Sequence, residues 1–189
     1  MSERRTATPG QTVGPFFHDA LTYAGGPELV SVADRGAIRL HGRVLDGAGE
    51  GVPDALLEIW QPDADGRLQT GTGSFDRDPH GFTGWGRAAT DRTGGYRFTT
   101  VNPGSTGEGA APFIAVVVLA RGLLNRLFTR IYLPEDATAL ASDPLLSSLP
   151  KERRTTLVAT REPDGGLRFD VRLQGPDETV FLVFPEHTR

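Results

Sequence analysis

The sequence predicts an all-β chain: an antiparallel β-sandwich of about eight or nine short strands, with an extended N-terminal arm and one short helical insertion. Three observations carry this. Apolar and polar residues alternate in short runs, most strictly where Leu167, Phe169, Val171 and Leu173 interleave with Arg168, Asp170 and Arg172. A period of two puts one set on each face of a strand. Glycine and proline number 24 and 14, a frequency that favours many strands joined by turns over a helical bundle. Sustained helical periodicity is scarce, and the sandwich or barrel is the architecture left.

The elements follow in order. Residues 1–35 show no clean period, and "TPGQTVGPFF" carries two prolines and two glycines, so this arm is expected to be extended and turning. Gly14 precedes Pro15, which disfavours helix there. "GPELVSVADRG" reads as a short helical turn. The sandwich core is expected over 36–185, and the 189 residues suit one domain. Ile38–Leu45 is a strand ending at the turn cluster "DGAGEG", and "ALLEIWQ" is the next, ending at "PDADGR". "GRAATD" and "YRFTTV" around "RTGG" read as a hairpin. "FIAVVVLA" and "LFTRIYL" flank "RGLLNR". "DPLLSSLPKERR" is the helical insertion, with Asp143 as cap and Pro144 in the first turn. "TTLVATREPDGGLRFDVRLQG" reads as a second hairpin and "TVFLVF" as the last strand.

Composition excludes several classes. The formal net charge is -4 and the basic residues are scattered, which argues against a nucleic-acid partner. No apolar run reaches membrane length, and "MSERRTATPGQTVG" has no apolar segment of the signal-peptide kind. Cysteine is absent, so there is neither disulfide framework nor thiolate metal site. A cytoplasmic protein is expected.

Local motifs carry little chemistry. The histidines are His18, His41, His80 and His187, none at a paired ligand spacing. His41 lies in a strand pattern, where a structural role is expected, and His80 in a polar loop. Ser74 lies in "GTGSFD", which lacks the strand-to-helix elbow of a serine nucleophile, and no dinucleotide fingerprint is present. Asp63 and Asp65 sit in a turn, where aspartate bonds its own backbone. Glu58 is expected to point outward or to meet a basic neighbour on an adjacent strand.

Three longer stretches, taken together, say more. "GRVLDGAGEGVPDALLEIWQPDADGR" is followed by "FTGWGRAATDRTGGYRFTTVNPG" and then by "LFTRIYLPEDA". In this order they resemble the intradiol ring-cleaving dioxygenase family over roughly residues 8–185. "TPGQTVGPFFH" and "ARGLLNRLFTRIYLPEDA" resemble the alpha chains of its heteromeric members. Catalytic chains of that family hold ferric iron through two tyrosines and two histidines, a donor set suited to this ion. Counting along the motifs, the tyrosine positions fall near Ser74 or Phe75 and on Thr106. The histidine positions fall on Phe113 and Ala115, and the family's nearby arginine on Ala110.

The resemblance therefore implies that this chain binds no metal. Fe(III) is implied in a homologous beta chain, within a hetero-oligomer of alpha–beta pairs. It also implies a pocket at the shared interface, lined from this chain by Thr12, Gly14, Pro15 and Arg121, with no catalytic residue on this chain. The implied reaction is insertion of oxygen into 3,4-dihydroxybenzoate between its hydroxyls, giving 3-carboxy-cis,cis-muconate. A purely structural or regulatory subunit, or a stand-alone binding module on the same scaffold, are the alternatives.

Overall fold

The computed structural model describes residues 14, 17–69 and 81–184. Two sheets pack face to face. The five-stranded sheet has the order β4-β1-β8-β7, with β9 also on β1, from β1 (Ala37–Leu45), β4 (Gly95–Val101), β7 (Thr160–Arg161), β8 (Leu167–Arg168) and β9 (Val171–Arg172). The four-stranded sheet has the order β3-β2-β5-β6, from β2 (Leu56–Trp60), β3 (Trp85–Ala89), β5 (Phe113–Leu119) and β6 (Leu127–Tyr132). Pairing is antiparallel except for the short β8 and β9 segments, which run parallel to β1. The expected sandwich and its strand number are both found.

Alternation builds the core. Leu40 and Val44 of β1 meet Phe98 of β4, and across the gap lie Ile59 of β2 and Ile114, Val116 and Val118 of β5, all buried. Removing this much apolar surface from water is the main term that favours the fold. Gln61 is buried between the sheets with its polar atoms satisfied. It accepts from the Thr100 hydroxyl at 2.7 Å and donates to the Val101 carbonyl at 2.9 Å.

Five expectations need correction. "GRAATD" and "YRFTTV" do not form a hairpin. The tight turn is present, with the Asp91 carboxylate accepting from Thr93 N and Gly95 N, but β3 pairs with β2 and β4 with β1. The turn carries the chain from one sheet to the other. "GPELVSVADRG" is not helical. Its extended start closes the open side of the sandwich: Arg87 N donates to Gly26 O, Thr99 N to Pro27 O and Leu29 N to Thr99 O. Edge strands need partners for their free backbone groups, and here one segment serves both edges while burying Leu29.

The second hairpin is also different. Residues 155–157 form a helical turn, because Thr155 and Thr156 donate their hydroxyls back to the carbonyls of Glu152 and Arg153. The strand after β7 breaks into β8 and β9. Between them the Asp170 carboxylate accepts from Arg43 N at 2.9 Å and the Tyr96 hydroxyl donates to the Phe169 carbonyl, so side chains supplement the one ladder bond kept there, Phe169 N to His41 O. The alternation survives the break: Leu167, Phe169 and Val171 are all buried. "TVFLVF" is no strand: it makes one isolated bridge, Leu182 to Phe128, and is also tied by Thr179 to Arg172 of β9 and by the Val180 carbonyl to the Thr129 hydroxyl of β6.

The helical insertion is longer than expected. Helix α1 (Phe17–Ala20) lies in the arm. The insertion holds α2 (Ala137–Ser142), α3 (Pro144–Ser148) and α4 (Lys151–Arg154). Asp143 does cap α3, with Pro144 in its first turn. Among the described residues no helix is long and apolar enough to cross a membrane.

Gly42 marks the tightest approach in the fold. A Cβ there would stand 1.7 Å from the Phe169 carbonyl oxygen and 2.6 Å from its carbon. These are backbone atoms and have no room to yield. Gly42→Ala is expected to destabilise by about 3 kcal/mol or more, read as a fall in the urea midpoint. Ala89→Gly, in an edge strand, is the mild comparison.

Candidate functional site

The outer face of the four-stranded sheet carries the positions of interest. In β5, Ile114, Val116 and Val118 point into the core, so Phe113, Ala115, Val117 and Leu119 point out. Register places Phe113 opposite Tyr132 and Ala115 opposite Arg130 of β6, and Ala115 opposite Trp60 of β2. The two positions matched to histidine ligands are thus neighbours on one face, as such ligands would need to be. Their side chains offer no lone pair to a metal. Thr106 is exposed in the loop before β5, and Ser74 and Phe75 lie outside the described residues. Among the described residues no group of three His, Cys, Asp or Glu side chains is placed to hold a metal ion. Among the described residues, Thr106, Phe113 and Ala115 offer no donor set that fits iron.

An arginine covers this face. The Arg130 guanidinium carbon lies 4.0 Å from the centre of the Phe113 ring, a cation–π contact. Its Nη1 donates to the Tyr132 hydroxyl at 3.1 Å, and that hydroxyl donates to Asp143 Oδ1 at 3.0 Å. Burial pushes the Tyr132 phenol up to about 12, although Arg130 pulls the other way. Tyr132 is therefore a neutral hydrogen-bond donor rather than a tyrosinate.

Asp143 closes this cluster. Its Oδ1 also accepts from Leu145 N and Leu146 N at the start of α3, and its Oδ2 from Ala111 N at 3.2 Å. It is 1% exposed, which is tolerable for a carboxylate because both oxygens are occupied. The sequence reading anticipated the cap but not the tyrosine.

Arg121 sits elsewhere. It follows β5, in a tight turn closed by Leu123 N donating to Ala120 O at 3.1 Å. The turn needs a left-handed residue, supplied by Gly122 at φ +92. Phe113 and Leu119 are six residues apart, which is about 20 Å of strand, and Arg121 lies beyond that. Arg121 and this chain's own metal-ligand positions therefore belong to opposite ends of the sheet. Arg121 Nε is 2.9 Å from Asp54 Oδ2, an ion pair that sequence reasoning missed. Asp54 precedes β2, Arg121 follows β5, and only the antiparallel pairing of those strands reveals that they meet.

Gly14 is described and has φ +64, with no heavy atom within 4 Å of where a Cβ would be. Thr12 and Pro15 lie outside the described residues. The arm reaches the sheet at Tyr23, whose ring stacks on Trp85 at 5.9 Å, and at Leu21, whose carbonyl accepts from Arg87 Nη1 at 2.7 Å. Arg87 also donates through Nε to Glu58 at 2.8 Å, the basic neighbour expected for Glu58. His41 is structural, as expected: its Nε2 is 2.7 Å from Glu162, which Arg39 also contacts. His80 and His187 lie outside the described residues. Asp63 bonds its own turn at Asp65 N and Arg67 N.

The two-sheet sandwich, with an H-x-H position pair on its outer face, defines a chain built on the intradiol ring-cleaving dioxygenase plan. The chain belongs to that family: the family model described as "Dioxygenase" matches residues 29–175. It is 43% identical to the protocatechuate 3,4-dioxygenase alpha chain of Burkholderia cepacia, over 93% of this chain and 96% of that one. To the beta chain of the same organism it is 34% identical, over 89% of this chain and 76% of the other. Its fold matches the solved dioxygenase domain of a dioxygenase–carbohydrate-binding protein fusion from Streptomyces sp. SirexAA-E. That match has a TM-score of 0.56 at 24% identity and covers 90% of this chain and 99% of that one.

Loss of Asp143 would strip four donors of their acceptor. Asp143→Ala is expected to cost about 3–5 kcal/mol. Asp143→Asn should cost about half of that, since one amide oxygen can still cap α3 while its NH₂ faces Ala111 N–H. Urea unfolding followed by tryptophan fluorescence would check both. Near-equal losses would mean that the cap contributes little and the contact with Ala111 N–H carries the cost; no loss in Asp143→Asn would mean that the cap alone matters.

Proposed function

We propose that this chain is the alpha subunit of a cytoplasmic protocatechuate 3,4-dioxygenase, binding no iron itself. It pairs with a homologous beta chain that holds Fe(III). Together they cleave 3,4-dihydroxybenzoate with O₂ to 3-carboxy-cis,cis-muconate. The observation that carries this is the end-to-end similarity to an alpha chain, combined with Phe113 and Ala115 at the ligand positions. Iron in the partner supplies the oxygen-insertion chemistry. This chain's own residues shape and charge the pocket.

Geometry supports a role toward a partner's site. Arg121 is too far from Phe113 and Ala115 to serve a site built around them, yet it is displayed at a turn tip, with its side chain more than half exposed. A permanent planar cation there suits an aromatic carboxylate. Gly14, left-handed and with no heavy atom within 4 Å of where a Cβ would stand, suits close approach of backbone to ligand. Thr12 would add a hydroxyl, and Pro15 would stiffen the turn. The Arg121–Asp54 pair favours the competing view of a purely structural arginine, and experiment separates the two.

Two measurements test the proposal. Co-expression with a beta-type chain should give one stable complex, with iron tracking the beta chain. The chain purified alone should carry far less than one iron each. Near-stoichiometric iron on the lone chain, or a monomer indifferent to the beta chain, would refute the assignment.

In the complex, Arg121→Ala should lower kcat/KM for protocatechuate about 10- to 150-fold, the size of a charge-assisted contact. Turnover of catechol, which lacks the carboxylate, should hardly change. Equal losses on both substrates would make Arg121 an interface residue.

A further inference from the structure

We infer that Asp54 is a positioning residue for substrate recognition: it holds the Arg121 guanidinium by its inner nitrogen, so that the outer fork faces the pocket. This rests on the proposed role of Arg121 and extends it to a residue with no assigned part.

Asp54 has an unusual setting for a surface-turn aspartate. Its side chain is 10% exposed, while that of Arg121 is 58% exposed. A nearly buried carboxylate requires a compensating partner. Among the described residues the cation it meets is Arg121, through Nε rather than the terminal nitrogens. The approach is thus at the Nε side of the guanidinium, at 2.9 Å. The guanidinium is held on that side while more than half of the Arg121 side chain stays exposed, and a planar guanidinium edge matches a carboxylate.

The grip is itself anchored. The turn that carries Asp54 is pinned to β3 by the buried Thr90. The Thr90 hydroxyl accepts from Ala55 N at 3.0 Å and donates to Val52 O at 2.8 Å, and Thr90 N donates to Ala55 O at 2.9 Å. On the other side, the Ala120–Leu123 turn fixes the Arg121 backbone. Both ends of the arginine are therefore set by the scaffold, and little rotamer freedom remains to be lost when a ligand binds.

Asp54 also places a negative charge near an anionic substrate. That repulsion is weakened by solvent around a half-exposed guanidinium, whereas the alignment of a planar fork is directional. Alignment is the larger effect, which fixes the sign of the outcome.

The test uses the assembled alpha–beta complex and steady-state oxygen uptake with protocatechuate and catechol. Asp54→Asn should raise KM for protocatechuate about 5- to 30-fold, leaving kcat and catechol turnover unchanged. Asp54→Glu, which keeps the charge, should recover part of the loss. In the Arg121→Ala background, Asp54→Asn should add nothing, as expected for residues acting as one unit. An unchanged or lowered KM in Asp54→Asn, while Arg121→Ala keeps its carboxylate-specific loss, would overturn the positioning role alone. No carboxylate-specific loss in Arg121→Ala would overturn both and locate the failure in Arg121. Should Asp54→Asn not assemble, Asp54→Glu against Arg121→Ala carries the same comparison: a KM no different from wild type would overturn the inference.

Discussion

The antiparallel pairing of β2 with β5 is the constraint on which the rest of the structure depends. Its register runs from Leu56 opposite Leu119 to Trp60 opposite Ala115. One end of the pair carries Asp54 and Arg121, held together at 2.9 Å. The other end carries Trp60, Ala115 and, one strand over, Arg130. A slip of one residue would turn Val116 and Val118 outward and Ala115 and Val117 inward. It would also separate Asp54 from Arg121. The same hydrogen bonds thus fix the core, the distance between the two ends and the aim of the exposed arginine. The outer strands and the insertion are fitted around this pair: β3 and β6 flank it, and Asp143 ties α3 to Tyr132 at its far end.

Charge is handled differently at the two ends. At the Ala115 end the cation is internal to the structure: Arg130 lies over Phe113 and donates to Tyr132. It is enclosed by groups of this chain and serves their packing. At the Asp54 end the cation is presented. Arg121 pairs through Nε with a nearly buried carboxylate while more than half of its own side chain stays exposed. Arginine suits both places for the same physical reason, a delocalised planar charge that is weakly hydrated and stacks or forks equally well. Lysine would do neither job as well, because its point charge has no face to lay on a ring and no fork to aim.

The sequence was informative about whatever follows from a short period. Short apolar runs revealed β1, β4 and β5 as strands, and alternation revealed the inward set Leu167, Phe169 and Val171, buried even where the strand itself breaks. Capping chemistry revealed Asp143 and Pro144. Pairing was not legible. The turn at Asp91 looks like a hairpin locally, yet its strands enter different sheets, because the choice is made by partners far away in sequence. The Gly26–Leu29 segment resembled a helical turn because its real role, satisfying two strand edges at once, has no local signature. The candidate site divided in the same way. Motif spacing located Phe113, Ala115 and Arg121, while Asp54 became visible only once β2 lay beside β5.

The strand period also explains how such a chain keeps its fold without metal ligands. In β5 the residues at the ligand positions and the residues of the core alternate, so they face opposite sides. Ile114 and Val116 are 0% and 1% exposed, and they pack the same interior whatever stands at 113 and 115. A phenylalanine and an alanine on the outer face disturb none of those contacts. They remove the ability to hold iron while adding a ring for Arg130 to cover. The two faces of one strand are nearly independent in energy, as side chains on opposite sides of a sheet share no neighbours. The outer face of β5 can therefore change without cost to the core, while the far end of the same strand and the turn that carries Arg121 keep their geometry.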